Sequence, residues 1–222
     1  MSIQTLSKIT IGLGISAIVL IPTSANALID SVTTTTNMGT FRTYNLSDLT
    51  NGDGLSELSS TATHGNSFDT MWLSNTGNTT GFLDFDLGSV SDVSEAYVWN
   101  YNSNGSLNRS VQNITVDTSI DGVNFNNLLG TTTLSQGTGN AISPDTLNLS
   151  NVTARYIRFN IQSNYGSPSY SGLSEVQFND VPQSASVPFE FSPSLGLVLM
   201  GGLFGVSRYT KSRKASKLIE LE

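Results

Sequence analysis

Arg155-Tyr156-Ile157-Arg158-Phe159-Asn160-Ile161-Gln162 alternates strictly, with Ile157, Phe159 and Ile161 on one face and Tyr156, Arg158 and Asn160 on the other. Successive side chains of a strand leave the backbone on opposite sides, so this pattern marks a β-strand with one buried face. Shorter stretches of similar character are Leu83–Leu87, Ala96–Tyr101, Val111–Thr118 and Glu175–Phe178. Between them lie turn clusters such as Asn51-Gly52-Asp53-Gly54, Asn104-Gly105 and Asp121-Gly122, where Gly and Asn accept backbone angles that other residues resist. Many short strands with no helical periodicity predict an all-β fold, an antiparallel sandwich.

The composition agrees. From Leu28 to Asp180 Thr, Ser, Asn and Gly dominate, and no lysine occurs between Lys8 and Lys211. Ser, Thr and Asn compete with a helix for backbone hydrogen bonds. The net charge is −7, and the middle carries only Arg42, Arg109, Arg155 and Arg158 as basic residues. An acidic domain repels phosphate backbones, which argues against nucleic acid. It is compatible with a hard cation or a neutral polymer such as polysaccharide. There is no cysteine, hence no disulfide, thiolate nucleophile or sulfur-ligated metal, and the single histidine, His64, argues against a Ser-His-Asp triad or a multi-His metal site.

The two ends differ from the middle. Lys8, the apolar run Ile9–Ile21, Pro22 and the small-x-small sequence Ala25-Asn26-Ala27 read as a signal peptide. An uncleaved anchor is the alternative, but the run is short for a membrane span. At the other end Val187-Pro188-Phe189-Glu190-Phe191-Ser192-Pro193 leads into the apolar stretch Leu195–Val206, then Arg208, Lys211, Arg213, Lys214 and Lys217. A hydrophobic C-terminal helix is expected there. Extended back towards Val187 it approaches bilayer length, interrupted by Glu190 and two prolines, and the basic cluster fits the positive-inside rule. A buried core helix is the alternative, weakened by Gly201, Gly202 and Gly205.

Residues Pro188 to Lys214 resemble a PEP-CTERM-type sorting signal, opening Pro188-Phe189-Glu190 like the variant called PFE-CTERM. The resemblance implies exosortase-type sorting machinery as a partner, a segment at least transiently in the membrane, and a cell-surface or extracellular destination. The acidic end, Glu220 and Glu222, is longer than such tails usually carry, so removal of the tail stays open. The expected organisation is a signal peptide over 1–27, a β-sandwich over 28–180, a linker over 181–187, the sorting segment over 188–214 and a tail over 215–222.

Within the middle, seven pieces stand in a familiar order. They are Leu49-Thr50-Asn51-Gly52-Asp53-Gly54-Leu55-Ser56, Asp69-Thr70-Met71-Trp72, Phe85-Asp86-Leu87-Gly88, and Val98-Trp99-Asn100-Tyr101-Asn102 followed by Arg109. Then come Thr118-Ser119-Ile120-Asp121-Gly122-Val123-Asn124-Phe125, Ala154-Arg155-Tyr156-Ile157-Arg158-Phe159, and Gly172-Leu173-Ser174-Glu175-Val176. This order resembles the discoidin (coagulation-factor type C, galactose-binding-like) superfamily, which includes family 32 carbohydrate-binding modules. The resemblance implies an eight-stranded discoidin-like jelly roll with loops gathered at one end.

Two sites follow from that resemblance. A structural calcium ion would be held by Asn51, Asp53 and Ser56 on one Gly-rich loop with Glu175 from the last strand, since calcium takes six to eight oxygens. An ordinary Asx turn beside a surface glutamate is the alternative. A ligand platform would pair aromatic faces with polar donors. Its candidates are His64, Tyr101, Arg109, Asn164 and Tyr165, with Tyr170 nearby. Arg109 leads, because the family places a sugar-contacting arginine after the corresponding turn. Trp72 and Trp99 are expected to pack in the core, and Arg155 and Arg158 to be framework residues. The function expected is non-enzymatic binding of carbohydrate or an envelope polymer. A surface-coat role without a small ligand is the runner-up. A hydrolase resting on Asp84 and Asp86 is a distant third.

Overall fold

The structure, a computed structural model, describes residues 27–181. It contains eight strands and three short 3-10 turns: β1 (Ala27–Leu28), β2 (Thr33–Thr36), β3 (Trp72–Leu73), β4 (Gly81–Asn100), β5 (Val111–Ser119), β6 (Asn126–Thr133), β7 (Asp145–Asn164) and β8 (Gly172–Asp180). Every pairing between these strands is antiparallel. The path β1-β8-β4-β7-β5-β6 is continuous, with β2 added on β4 and β3 on β8.

β4 and β7 turn the corner that makes a sandwich of this path. Residues Gly81–Asp86 of β4 lie between β2 and the second half of β7, while Val93–Asn100 lie between the start of β7 and β8. The register breaks between Asp86 and Ser91 and again between Val93 and Glu95. Gly88 bends β4 with a positive φ of 78°, and its N–H is taken by the Asp86 carboxylate at 2.9 Å. On β7 the matching bend is Ser150-Asn151, at φ 57° and 56°, a region where Asn is among the better-tolerated residues. Leu83–Leu87 and Ala96–Tyr101, separate strands by sequence, are therefore the two ends of one bent element, with Tyr101 just past its end.

The strict alternation of β7 is realised. Ile157, Phe159 and Ile161 are buried, and Phe159 meets Phe85 and Phe178 edge-on with centroids 5.1 and 6.3 Å apart, the geometry aromatic quadrupoles favour. On the opposite face Arg158 forks onto Asp84 at 2.6 and 2.7 Å and lies 4.2 Å from the Phe82 ring and 3.9 Å from the Phe125 ring. Arg155 forks onto Asp86 at 2.8 and 2.9 Å and holds that carboxyl below its ordinary range. Both arginines are framework residues, as expected. Asp84 and Asp86, the pair named for a hydrolase, are engaged in ion pairs with these framework arginines. Trp72 and Trp99 are fully buried, their indole N–H groups donating to Gly39 O at 3.2 Å and Ala62 O at 3.0 Å.

β6 had no signature in the sequence. Apart from Leu128 and Leu129, which pack half-buried against the core, its residues are polar or glycine and mostly exposed, and it forms by pairing with β5 at the sheet edge. The signal peptide (apart from Ala27, which pairs with Asp180), the linker beyond Val181, the sorting segment with its expected helix, and the tail lie outside the described residues.

Candidate functional site

Six loops are knitted together where β4 ends and β5 begins. Tyr165 N–H donates to Ser110 O, Ser167 N–H to Asn108 O, Gly77 N–H to Ser169 O and Asn75 N–H to Met38 O. Buried asparagines make most of the side-chain links. Asn100 donates to Val111 O (2.6 Å) and Ser135 O (2.8 Å) and accepts from the N–H groups of Tyr101 and Val111, both at 2.9 Å. Asn102 donates to Gly65 O and Asn140 O and accepts from Thr138 and Gly139 N–H. Each uses its full donor and acceptor capacity, which is what a buried amide needs.

On this base stands a ledge of aromatic rings. The Phe41 and Tyr170 rings pack edge to face with centroids 5.0 Å apart, and Tyr44 lies 6.4 Å from Phe41 and 6.0 Å from Phe68. Phe68 is the outermost, 53% exposed. Two guanidinium groups flank the row: Arg109 sits 4.9 Å from the Tyr170 ring centre and Arg42 sits 4.8 Å from that of Phe41. Tyr101 is the buried foot of the ledge, its hydroxyl 2.8 Å from that of Tyr44. Burial, then that hydrogen bond, push the Tyr44 hydroxyl far above its usual range, so it stays neutral. The ledge offers flat apolar faces beside planar cationic donors, a surface suited to molecules with C–H faces and polar rims.

The loop expected to hold calcium meets β8 on the outer face of the sheet. Glu175 is fully buried opposite Trp99, and both its carboxylate oxygens face Gly52 N–H at 3.1 and 3.2 Å. Burial pushes its carboxyl up to about 8, with Asp53 and Asp48 adding like-charge repulsion. The Asn51 amide donates to Asp48 at 3.3 Å and Asp53 at 3.0 Å. Asn51, Asp53 and Glu175 are thus brought together, and Asp48, which spacing did not suggest, joins them. Ser56 does not: its Oγ accepts the Thr63 N–H. Among the described residues no three His, Cys, Asp or Glu side chains close on one point. Asp48, Asp53 and Glu175 nonetheless supply the hard carboxylate oxygens that calcium takes, and among the described residues no Lys or Arg is paired with them, so these carboxylates fit that cation.

The sequence profile of the F5/8 type C domain matches residues 43–176, more than half of the chain. The chain belongs to the F5/8 type C domain family. Modules of this family are binding domains, typically non-catalytic. Solved relatives of this F5/8 type C domain agree in fold. An F5/8 type C domain from Bacteroides fragilis superposes with a TM-score of 0.52 at 11% identity, over 72% of this chain and 98% of that one. A family 32 carbohydrate-binding module from a family 31 glycoside hydrolase of Clostridium perfringens superposes at 0.50 and 14% identity, over 68% and 95%. A family 89 glycoside hydrolase from Clostridium perfringens matches at 0.45 and 19%, over 68% of this chain but 14% of the enzyme. The chain therefore spans about one seventh of that hydrolase. No curated protein matches.

The F5/8 type C domain distributes the platform candidates unequally. Arg109 stands on the ledge and Tyr101 beneath it. His64 is fully buried, with Nδ1 3.0 Å from Gly65 O and Nε2 3.0 Å from Asp53 O, and burial lowers its pKa. It braces the acidic loop rather than the ledge. Asn164 donates to Ser167 O and Tyr170 O, holding the loop that carries Tyr170. Tyr165 donates its hydroxyl to Leu134 O, away from the row of rings. Sequence reasoning missed Phe41, Arg42, Tyr44 and Phe68. Their one signal is Phe41-Arg42-Thr43-Tyr44, bulky side chains inside a polar loop with no strand alternation to bury them.

Proposed function

We propose that this F5/8 type C domain is an exported, cell-surface, non-enzymatic binding module that holds carbohydrate or an envelope polymer on its aromatic ledge. The reading rests on one observation, the Arg109 guanidinium set over Tyr170 in a row continued by Phe41, Tyr44 and Phe68. A sugar ring would lie on the apolar faces while the guanidinium groups take its hydroxyls or a carboxylate. Export and delivery to the envelope are supported by the leader-like start and the PFE-CTERM-like tail, which exosortase-type machinery would recognise. Calcium is proposed as a structural ion. Asp48, Asn51, Asp53 and Glu175 would hold it, and it would tie the 48–53 loop to β8 without entering any chemistry.

A glycan array probed with the full chain should give hits that weaken about tenfold or more in Arg109→Ala and in Tyr170→Ala. Undiminished capture by both variants would remove the ledge from the site. An array without hits, for a protein abundant in envelope fractions, would favour the surface-coat reading instead.

A further inference from the structure

On the outer face of β4 and β8, back along β4 from the ledge, a cavity of about 770 Å³ opens between the 28–32 segment and the 58–60 loop. None of the ledge residues lines it. Its volume lies within the roughly 300–1,000 Å³ typical of small-molecule sites. Gln177, Tyr97 and Glu95 line it together. Tyr97 and Gln177 are directly paired across the two strands, and Glu95 shares their face two positions back.

The polar groups here are unevenly matched. Gln177 is only 8% exposed, its Nε2 donates to Glu175 at 3.3 Å, and its Oε1 is buried with no hydrogen-bond partner. A buried acceptor without a donor is costly. Glu95 accepts the Tyr97 hydroxyl at 2.5 Å, and Asp30 lies on the rim, yet among the described residues no Lys, Arg or His lines the space. Leu28, Ile29, Val32 and Val176 supply apolar wall. The space is thus rich in acceptors, negatively charged and partly apolar.

We propose that this cavity is a second ligand site, separate from the ledge, for a small hydroxyl-bearing primary amine such as an amino sugar. The ammonium pairs with Glu95, a hydroxyl donates to the orphaned Gln177 Oε1, and the C–H face packs on the apolar wall. A neutral sugar satisfies Gln177 but leaves Glu95 without a counter-charge. An anionic one is repelled.

Calorimetric titration of the full chain with glucosamine, with glucose as the neutral comparison, tests this. In an Arg109→Ala background, which removes the ledge's own capture of sugar, saturable glucosamine binding is expected, about tenfold or more tighter than glucose and lost by a similar factor when Glu95→Gln is added. Ser59→Trp, on the rim loop, should block the site without touching the strands. The proposal is overturned by absence of saturable binding into tens of millimolar, by equal affinity for glucose, or by binding that survives Glu95→Gln and Ser59→Trp. Loss in Arg109→Ala alone would assign the amine to the ledge. Because the ledge reading is tested through Arg109 and Tyr170, either site can fail without the other.

Discussion

Asn100→Leu is expected to lower the unfolding free energy by about 3–5 kcal/mol and to abolish capture by the ledge. Leucine nearly matches asparagine in size but makes no hydrogen bond. It would strand three buried backbone groups, the N–H of Tyr101 and both polar groups of Val111, and take a partner from the more accessible Ser135 O. Each orphaned group costs about 1–3 kcal/mol, and the costs add incompletely because neighbours relax. Asn100 ties the end of β4 to the start of β5 and to the loop after β6, which places Tyr101 and the turn bearing Arg109. Stability and binding should therefore fall together. Urea denaturation of Asn100→Leu beside Asn104→Ala, an exposed asparagine expected to change stability by no more than about 0.5 kcal/mol, makes the comparison. A loss below about 1 kcal/mol for Asn100→Leu would show that the amide is not the fastening described.

That role was hidden in plain composition. In the sequence the abundant Asn, Ser and Gly mark loops. Sequence position does not say whether an amide faces water or four backbone groups. Asn100 and Asn102 do the latter because their loops cross other loops far away in the chain, and such crossings leave no local period. The strands that alternate cleanly were legible for the opposite reason. Ile157, Phe159 and Ile161 face the core at every second residue, whatever the strand pairs with. The corner of β4 was not legible, since Gly88 and the residues after it read as an end rather than a bend. β6 was invisible because Leu128-Leu129 is adjacent rather than alternating among polar residues, so this edge strand owes its form to β5.

For the site, legibility followed residue type. Arg109 was placed by a motif order and now stands beside the Tyr170 ring, and Glu175, placed by the end of that order, stands beside the 48–53 loop. Phe41, Tyr44 and Phe68 were missed because their contribution is mutual: rings from the 41–44 turn, from Phe68 and from Tyr170 become one surface only when the loops converge. His64 shows the reverse error. A lone histidine in a polar loop attracts a ligand role, yet this one is buried with each ring nitrogen 3.0 Å from a backbone carbonyl oxygen of its own neighbourhood, to one of which the neutral ring donates.

Glu175 carries the second large effect, and its sign is fixed by the direction of the shift. Its carboxyl is raised from 4.5 to about 8 in the folded domain, chiefly by burial. Between those values the folded state keeps a proton that the unfolded chain has released. Stability is then fully present below about pH 4.5 and declines until the pH passes about 8. At about 1.4 kcal/mol per pH unit the whole loss is on the order of a few kcal/mol. Asp48, also raised by burial, adds to the loss in the same direction at the acid end. Calcium would bind the ionised carboxylates in competition with that proton. Its stabilising effect should therefore be small near pH 5 and largest near pH 8, where it adds several degrees to the melting temperature. In chelator the wild-type melting temperature should fall across this range, while Glu175→Gln, which cannot ionise, should stay nearly flat and ignore calcium. A flat wild-type profile in chelator would mean that Glu175 does not carry the proton. A calcium response in Glu175→Gln equal to the wild type would place the ion elsewhere, and the 48–53 loop would then be fastened to β8 by the Gly52 N–H contacts to Glu175 without help from a cation.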